Sequence, residues 1–426
     1  MSILSGILLL VTFLILVTYC MKGGNLLVGF LVTAVLWCVI GLVPIQTVVT
    51  TIFQDSVAAY GGTIAVIVFG AWFGRVLVDT GIAGYIIKKT VELAGDQPLV
   101  TTLLLNVVCM LIFTSAFGVG SVMAIGMIIL PIQMSLGIDK LTAVGAYMLA
   151  VAGGMWLNVA YVSQFFAVFQ GIKYDNHYVQ FGLIATALHL VVLVSYILVN
   201  YGLKNKKKVR AWAAKQQSTA DTQLNGIVVI VPFIPILMVA IFKWQPVPAF
   251  VMGIFLGLLL TKNLNGYKLA VTKAQKTLYD GVADSGLLIG MLYSVNIFQA
   301  AAKQIAPILK DLLGDFIPNS PIILLIAFAI LAPLALFRGP LMVFGSGIAL
   351  VSILQSMGTF DEKFLFILFM IPPVSIVASS CPTQSWTMWA LNFVKVDTKE
   401  YIKANLGWAW ALTTACLLVG YFVYYL

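Results

Sequence analysis

One arginine stands in an unusual place for a charged side chain. Arg338 lies in the middle of a long apolar segment beside Gly339 and Pro340, where the chain cannot continue as a regular helix. A charge inside such a segment costs free energy and usually marks a function. Because a guanidinium presents a planar pair of donors that fits a carboxylate, Arg338 predicts a site for a small organic anion. The competing interpretation is a structural ion pair with an acid elsewhere in the chain.

Small and hydroxyl-bearing residues interrupt two apolar segments, 98–135 and 320–357, at their middles. The first contains TSAFGVGS (114–121) and the second contains LFRGPLMVFGSG (336–347). A broken helix leaves peptide groups unpaired in lipid unless protein covers the break or a ligand binds there. We expect each segment to form a re-entrant helical hairpin that returns to its own side of the membrane. The tip residues expected at a binding site are Ser115, Gly118, Gly120, Ser121, Arg338, Gly339 and Ser346.

Two further helices are expected to be broken at their centres. In residues 139–171 a glycine pair precedes Asn158, and in residues 363–395 three prolines surround hydroxyl and amide side chains. Half-helix N-termini at such breaks offer N–H groups to anions, and unwound carbonyls with hydroxyl oxygens can hold a dehydrated cation. We therefore expect the breaks to add to the substrate site Asn158, Ser379, Ser380, Thr383 and Gln384. The candidate Na⁺ ligands are Ser115, Asn158, Ser380 and Thr383.

The acidic residues bear on the coupling ion. Nearly all fifteen Asp and Glu side chains fall at span ends or in loops, and Asp79 and Asp284 come closest to the membrane interior. A proton-driven carrier usually titrates a buried acid or histidine, whereas Na⁺ needs only oxygen ligands. The sequence therefore favours Na⁺ over H⁺, although a substrate carboxylate or His189 could still carry a proton. No other cofactor is expected.

The composition places these residues in an integral membrane protein. Of 426 residues, 61% are hydrophobic and 9% are charged, whereas soluble proteins carry roughly a quarter charged residues. Loop charges of a membrane protein explain the net charge of +9 better than nucleic-acid binding does. The five cysteines have no metal-ligand spacing and only two histidines are present. A metal centre or a histidine-built catalytic site is therefore not expected.

An internal repeat divides the chain into two halves. SQFFAVFQGIKYD (163–175) aligns without a gap with SWTMWALNFVKVD (385–397), and the two interrupted segments align as well. Each half is expected to have five spans and one hairpin, and this odd number of crossings inverts the second half. Inverted repeats with broken helices are typical of secondary transporters. The predicted fold is an all-α polytopic membrane protein with a first repeat (1–203), a cytoplasmic loop (204–225) and a second repeat (226–426).

The basic residues orient this layout. The positive-inside rule places KNKKKVR (204–210) in the cytoplasm, and most other basic residues, including Arg75, then fall on the same side. Arg338 is left as the only basic residue expected at membrane depth. The expected location is the cytoplasmic (inner) membrane of a bacterium, with both termini outside.

The quoted tips, with the unwound helices AGGMWLN (152–158) and SSCPTQSW (379–386), resemble the ion transporter superfamily. The stretch FGAWFGRVLVDTGIA (69–83) is similar to the corresponding stretch of gluconate permeases. The resemblance implies an organic anion carrier like gluconate permeases or citrate transporters. It also implies a scaffold domain that forms a homodimer and a transport domain that moves by an elevator mechanism. The Ser-Asn-Thr signature of sodium–dicarboxylate carriers is absent at both tips, so citrate, gluconate and other small carboxylates stay open.

The predicted function is secondary active transport of a small organic anion, a carboxylate, by cation symport. The alternative is a cation/proton antiporter of the same fold, which would leave Arg338 without a substrate partner. A passive channel and a membrane-embedded enzyme are two further classes; an enzyme would need a nucleophile, an acid–base pair or a metal set at one depth. We expect no enzyme, and the expected partners are the anionic substrate, the lipid bilayer and a second copy of the chain, with no nucleic acid.

Overall fold

The computed structural model describes residues 3–95, 97–169, 171–204, 224–313 and 318–426. Within these ranges the chain is helical and has no β-strand. The predicted cytoplasmic loop 204–225 lies outside the described residues except at its two ends.

The helices are numbered in chain order, and several include turns of π- or 3₁₀-helix. They are α1 (Ile3–Met21), α2 (Leu26–Ile40), α3 (45–58), α4 (Gly61–Asp79), α5 (Ile82–Ala94), α6 (Pro98–Phe113), α7 (Val119–Ser135), α8 (Lys140–Met155), α9 (Val159–Phe166), α10 (Asn176–Lys204), α11 (Gly226–Ala240), α12 (Pro246–Leu260), α13 (Tyr267–Leu313), α14 (Pro321–Leu331), α15 (Gly347–Met357), α16 (Glu362–Pro372), α17 (Ser385–Val394) and α18 (Thr398–Val419).

The described helices are long and apolar enough for a membrane. Seven helical segments can cross a bilayer by length and composition, or eight if the bent pair α8–α9 counts as one span, and six shorter apolar helices accompany them. Three of the seven run through more than one of the elements above: Ile45–Asp79, Pro321–Arg338 and Glu362–Val394. Helices satisfy their own backbone hydrogen bonds, as a segment in lipid must. The chain is therefore a multi-pass membrane protein, as its composition predicts.

Both helices that the sequence predicts to be broken are broken in the structure. Between α8 and α9 the chain bends by 62° at residues 156–158, which we call the first break. After α16 the helix continues through a π-helical stretch, Pro373–Val377, to Ser380, and α17 begins only at Ser385. Residues 381–384 form the second break. Proline at two successive positions, where backbone donors are missing, explains why the helix widens before this break.

The two interrupted segments also have their breaks where the sequence predicts them. Helices α6 and α7 pack against each other and are joined by residues 114–118, the first tip. Helix α14 runs into a 3₁₀ turn, Ala332–Arg338, and an irregular loop leads to α15. Residues 336–346 form the second tip. Whether both segments re-enter the membrane on one side stays a prediction.

Helix α13 is the longest of the described helices. It is one continuous helix of 47 residues. It packs along α2, α4 and α15 and contacts the first turns of α7. The broken helices lie at the centre of the molecule, and an 18-residue window within Glu362–Val394 is fully buried inside the protein. Helix α13 therefore forms one wall that both tips face.

Candidate functional site

A cleft lies where α13 meets both tips, α9 and the second break. Its cavity volume is about 90 Å³, below the roughly 300–1,000 Å³ that is usual for sites of drug-sized ligands. Its walls are mostly aromatic and aliphatic side chains with a few polar groups. Of the residues predicted from the sequence, the cleft is lined by Gly118, Arg338 and Gln384. The other predicted residues lie behind this lining.

Arg338 projects from a strained backbone. Phe337 and Arg338 both have positive φ angles, +54° and +62°, which non-glycine residues rarely adopt and which persist only where the surroundings enforce them. Here the Phe337 N–H donates to Sγ of Cys381 at 3.3 Å, and the Ser346 N–H donates to the Arg338 carbonyl at 3.0 Å. The tip is thus held against the second break in a conformation that brings Arg338 to the cleft.

The Arg338 side chain has one polar partner. Its Nη2 donates to Oε1 of Gln384 at 3.1 Å, and among the described residues it forms no ion pair. The structural ion pair that the sequence left open is therefore not present in the described part of the chain. The guanidinium retains N–H groups for an anion in the cleft.

Gly339 and Ser346 shape the second tip. A Cβ atom on Gly339 would overlap the Leu334 carbonyl oxygen, so only glycine fits this turn. The Ser346 hydroxyl is buried and donates to the Arg338 carbonyl at 3.2 Å. Both residues support the position of Arg338 and neither lines the cleft.

Asn158 ties the first tip to the first break. Its Nδ2 donates to the carbonyls of Phe113 and Ala116, both at 2.8 Å, and its Oδ1 accepts from the Tyr161 N–H at 3.0 Å as the N-cap of α9. Ser115, in the same tip, is buried, and its hydroxyl has no hydrogen-bond partner. The first tip and first break therefore form one fully connected unit with a single free hydroxyl oxygen.

The polar side chains at the second break, and in the helical turn before it, contact one another or nearby backbone. The Ser379 hydroxyl donates to the Ser375 carbonyl at 2.5 Å and lies 3.1 Å from the Ser380 hydroxyl. The Thr383 hydroxyl lies 3.0 Å from Sγ of Cys381. Of the four predicted Na⁺ ligands, Ser115 and Asn158 thus belong to the first tip and break, Ser380 ends the helix before the second break, and Thr383 lies in that break.

An ion pair that the sequence analysis did not predict borders the same cleft. Arg75 on α4 contacts Asp284 on α13 through two short bonds, Nε to Oδ2 at 2.6 Å and Nη2 to Oδ1 at 2.7 Å. The two side chains are only 23% and 12% exposed, and Asp284 lines the cleft. The cytoplasmic side predicted for Arg75 stays a prediction, and what the structure adds is the acidic partner of this arginine.

The first tip packs directly on this ion pair. A Cβ atom on Gly120 would overlap both Nη2 of Arg75 and the Asp284 carboxylate, and Gly118 adopts φ +101° at the start of α7. Ser121 follows Gly120 in the first turn of α7, and its hydroxyl donates to the Phe117 carbonyl at 3.2 Å. Gly120 therefore provides the space for the charges rather than a ligand atom.

Further contacts between α4 and α13 position the pair. Trp72 Nε1 donates to the Thr277 hydroxyl at 2.9 Å, and Lys276 pairs with Asp79 at 2.7 Å. A sequence signal for this arrangement existed in the lone Arg75 one turn before Asp79 on an otherwise apolar helix. Its partner could not be identified without the packing of the two helices.

Gly74 lets α4 approach the first tip. A Cβ atom there would lie 2.6 Å from the Phe117 carbonyl oxygen, so we expect Gly74→Ala to lower the free energy of unfolding by about 1–3 kcal/mol through overpacking. The matched control is Gly84→Ala on α5, where a Cβ would meet nothing within 4 Å. Melting temperatures of the purified variants in one detergent check this, and equal values for both would contradict the close contact.

Comparisons with known proteins identify a fold and no family. No family model matches the chain, and no curated protein matches it. Among solved structures, the chain is similar to the YdaH transporter of Alcanivorax borkumensis, whose crystal structure is described as revealing an unusual topology. The match has a TM-score of 0.59 at 12% identity and covers 89% of each chain. Membership of the ion transporter superfamily and likeness to gluconate permeases stay predictions, and what the comparison shows is that the chain has the fold of a membrane transporter.

Proposed function

We propose that the protein is a secondary active transporter that carries a small carboxylate across the membrane by symport with a cation. The fold of a membrane transporter supports the general class. The observation that carries the substrate class is the Arg338 guanidinium, which reaches the cleft from a strained tip and has only the neutral Gln384 as a partner among the described residues. An unpaired cation in a partly desolvated cleft favours an anionic ligand.

The cleft narrows the chemistry of that anion. Arg75 and Asp284 cancel each other, so Arg338 leaves a net charge of +1 at the cleft. The remaining wall is dominated by rings and aliphatic chains, including Phe117, Phe344 and Trp386. A single net positive charge suits a monocarboxylate. Citrate brings more negative charge than one cation balances, whereas the hydroxyl groups of gluconate would find polar partners in the lining at Gln164, Ser285 and Ser385.

The structure changes the argument about coupling. The sequence favoured Na⁺ because no acid was evident at membrane depth, but Asp284 lines the cleft. His189 is buried on α10, where its Nδ1 accepts from Trp156 Nε1 at 3.0 Å, away from the cleft lining. Na⁺ held by Ser115, Asn158, Ser380 and Thr383 stays one proposal, and Asp284 makes H⁺ an equal one.

The proposed movement is alternating access. Each tip is tied to the break of its own half, the first through Asn158 and the second through Cys381 and Gln384. Such units can move as bodies along α13, which supplies the opposite wall of the cleft. This arrangement is consistent with an inverted repeat, an elevator movement and a homodimer in the cytoplasmic membrane, all of which we propose. The antiporter alternative leaves Arg338 without a role.

Transport in proteoliposomes tests the function. The assay measures uptake of radiolabelled pyruvate, 4-methyl-2-oxopentanoate, gluconate and citrate under an inward Na⁺ gradient, an inward H⁺ gradient or no gradient. We expect accumulation of a monocarboxylate against its gradient with one of the two cations, and none in liposomes carrying Arg338→Ala. Downhill movement that ignores both gradients would indicate a channel. Na⁺/H⁺ exchange without uptake of any of these carboxylates would indicate the antiporter.

A further inference from the structure

The Arg75–Asp284 ion pair lies at a point where it is not needed to hold α4 and α13 together. It lies at the cleft end of the α4–α13 contact, beside the N-terminus of α7, where a negative charge is favoured by the helix dipole. The other contacts between these helices, Trp72 with Thr277 and Lys276 with Asp79, already fix their relative position. An ion pair in such surroundings costs desolvation free energy that a pair of apolar residues would avoid.

The carboxylate of Asp284 also has the chemistry of the proposed substrate. It receives two parallel N–H donors from Arg75, which is the geometry that a guanidinium offers to any carboxylate. Since Asp284 lines the cleft, a substrate carboxylate can approach the same donors only if Asp284 gives them up. Asp284 then needs another positive partner, because an unpaired carboxylate beside an anion is strongly disfavoured.

We propose that Asp284 accepts the coupling cation and that this cation releases Arg75 to bind the substrate carboxylate together with Arg338. The proposal rests on the carboxylate symport proposed above. In the empty protein Asp284 satisfies Arg75; a cation that neutralises Asp284 leaves the Arg75 N–H groups free for the incoming carboxylate. With H⁺, the proton adds to a carboxylate oxygen of Asp284 and Arg75 stays protonated; with Na⁺, that oxygen becomes a ligand.

The charged and titratable groups around Asp284 agree with this exchange. On α4 they are Arg75 and Asp79, and Asp79 is held by Lys276 and is not available to replace Asp284. Across the cleft stand Arg338 and Tyr161. Helices α7 and α15 contribute no titratable side chain. On α13 itself Asp280 shares Lys276 with Asp79, at 3.3 Å.

This arrangement couples the two ligands at one point. Binding of the anion requires Arg75, release of Arg75 requires the cation, and so each ligand raises the affinity for the other. One cation enters for each negative charge that replaces Asp284 at Arg75. Na⁺ and H⁺ share this chemistry, and the experiment separates them.

Cation binding without substrate tests the proposal. Purified protein in nanodiscs is titrated first from choline chloride to sodium chloride at constant ionic strength and pH, and then with acid in choline chloride alone. The tryptophan fluorescence is recorded, because Trp386 lines the cleft and Trp72 lies on α4 near Arg75. We expect a saturable change with one of the two cations in the wild type. In Asp284→Asn the apparent affinity for that cation falls about tenfold or more, as for a lost charged partner.

The control is Asp280→Asn, one turn away on the same helix and partly exposed, which should respond like the wild type. If Asp284→Asn does not fold because Arg75 is left unpaired, the double variant Arg75→Gln/Asp284→Asn removes both charges, and its apparent affinity for the cation must fall by the same tenfold or more. An unchanged response in either folded variant, or no wild-type response to Na⁺ or H⁺, overturns the proposal. Since no substrate is present, a cation response through Asp284 without carboxylate transport would refute only the proposed function.

Discussion

Arg338→Ala will fold and will lose most of its affinity for the carboxylate that the wild type transports. The guanidinium reaches the cleft with one neutral partner, Gln384, so its removal leaves no buried acid unpaired and costs little stability. Arg338→Lys keeps the charge but loses the two-pronged geometry. We expect Lys to weaken binding by about 1–3 kcal/mol, the usual range for a charge-assisted hydrogen bond, and Ala to weaken it further.

Calorimetry on purified, monodisperse protein measures this effect. The matched control is Lys173→Ala, which removes one positive charge from an exposed position and should bind as the wild type does. Wild-type affinity in folded Arg338→Ala would end the carboxylate interpretation. Aggregation of Arg338→Ala, with normal affinity in whatever remains folded, would show instead that Arg338 supports the structure.

The second large effect is expected at Asn158. Its side-chain amide makes three buried hydrogen bonds, to the Phe113 and Ala116 carbonyls and from the Tyr161 N–H. Asn158→Ala leaves these backbone groups without their partner and removes an N-cap. We therefore expect the free energy of unfolding to fall by about 2–4 kcal/mol, with the first tip detached from the first break.

Asn225→Ala is the control for this prediction. Asn225 also caps a helix, through the Ile227 N–H, but it is exposed and makes no contact with a tip. Its loss should cost only about 0.5–1 kcal/mol. Unfolding curves of both variants in the same detergent provide the comparison. If Asn158→Ala is as stable as Asn225→Ala but loses its dependence on Na⁺, then Asn158 acts as a cation ligand rather than as a clamp.

The breaks could be predicted from the sequence because their causes are local. Proline lacks an N–H group, glycine adopts positive φ, and an asparagine caps the helix that follows it within one turn. These effects act over a few residues, so Gly118, Asn158 and the prolines around the second break marked the irregular segments correctly. Hydrophobic content is likewise additive along the chain, which is why the membrane class could be predicted as well.

The contents of the cleft could not be predicted in the same way. Arg75 and Asp284 are separated by 209 residues, and Arg75 looked like a surface charge because its own helix ends shortly after it. The approach of α4 to the first tip depends on Gly74, whose missing side chain gives no signal of its own in a chain with 36 glycines.

By itself the sequence determined the class of protein, the positions of its helix breaks and the presence of an arginine at a tip. Only the tertiary structure decided which of the polar residues share a cleft. It placed most of the predicted hydroxyl groups behind the wall, left Arg338 without an acid within the described residues and brought Asp284 into the lining. The physical reason is that side-chain partners in a membrane protein are chosen by close packing between helices distant in the chain. The positions of the backbone breaks are set by the residues next to them in the chain.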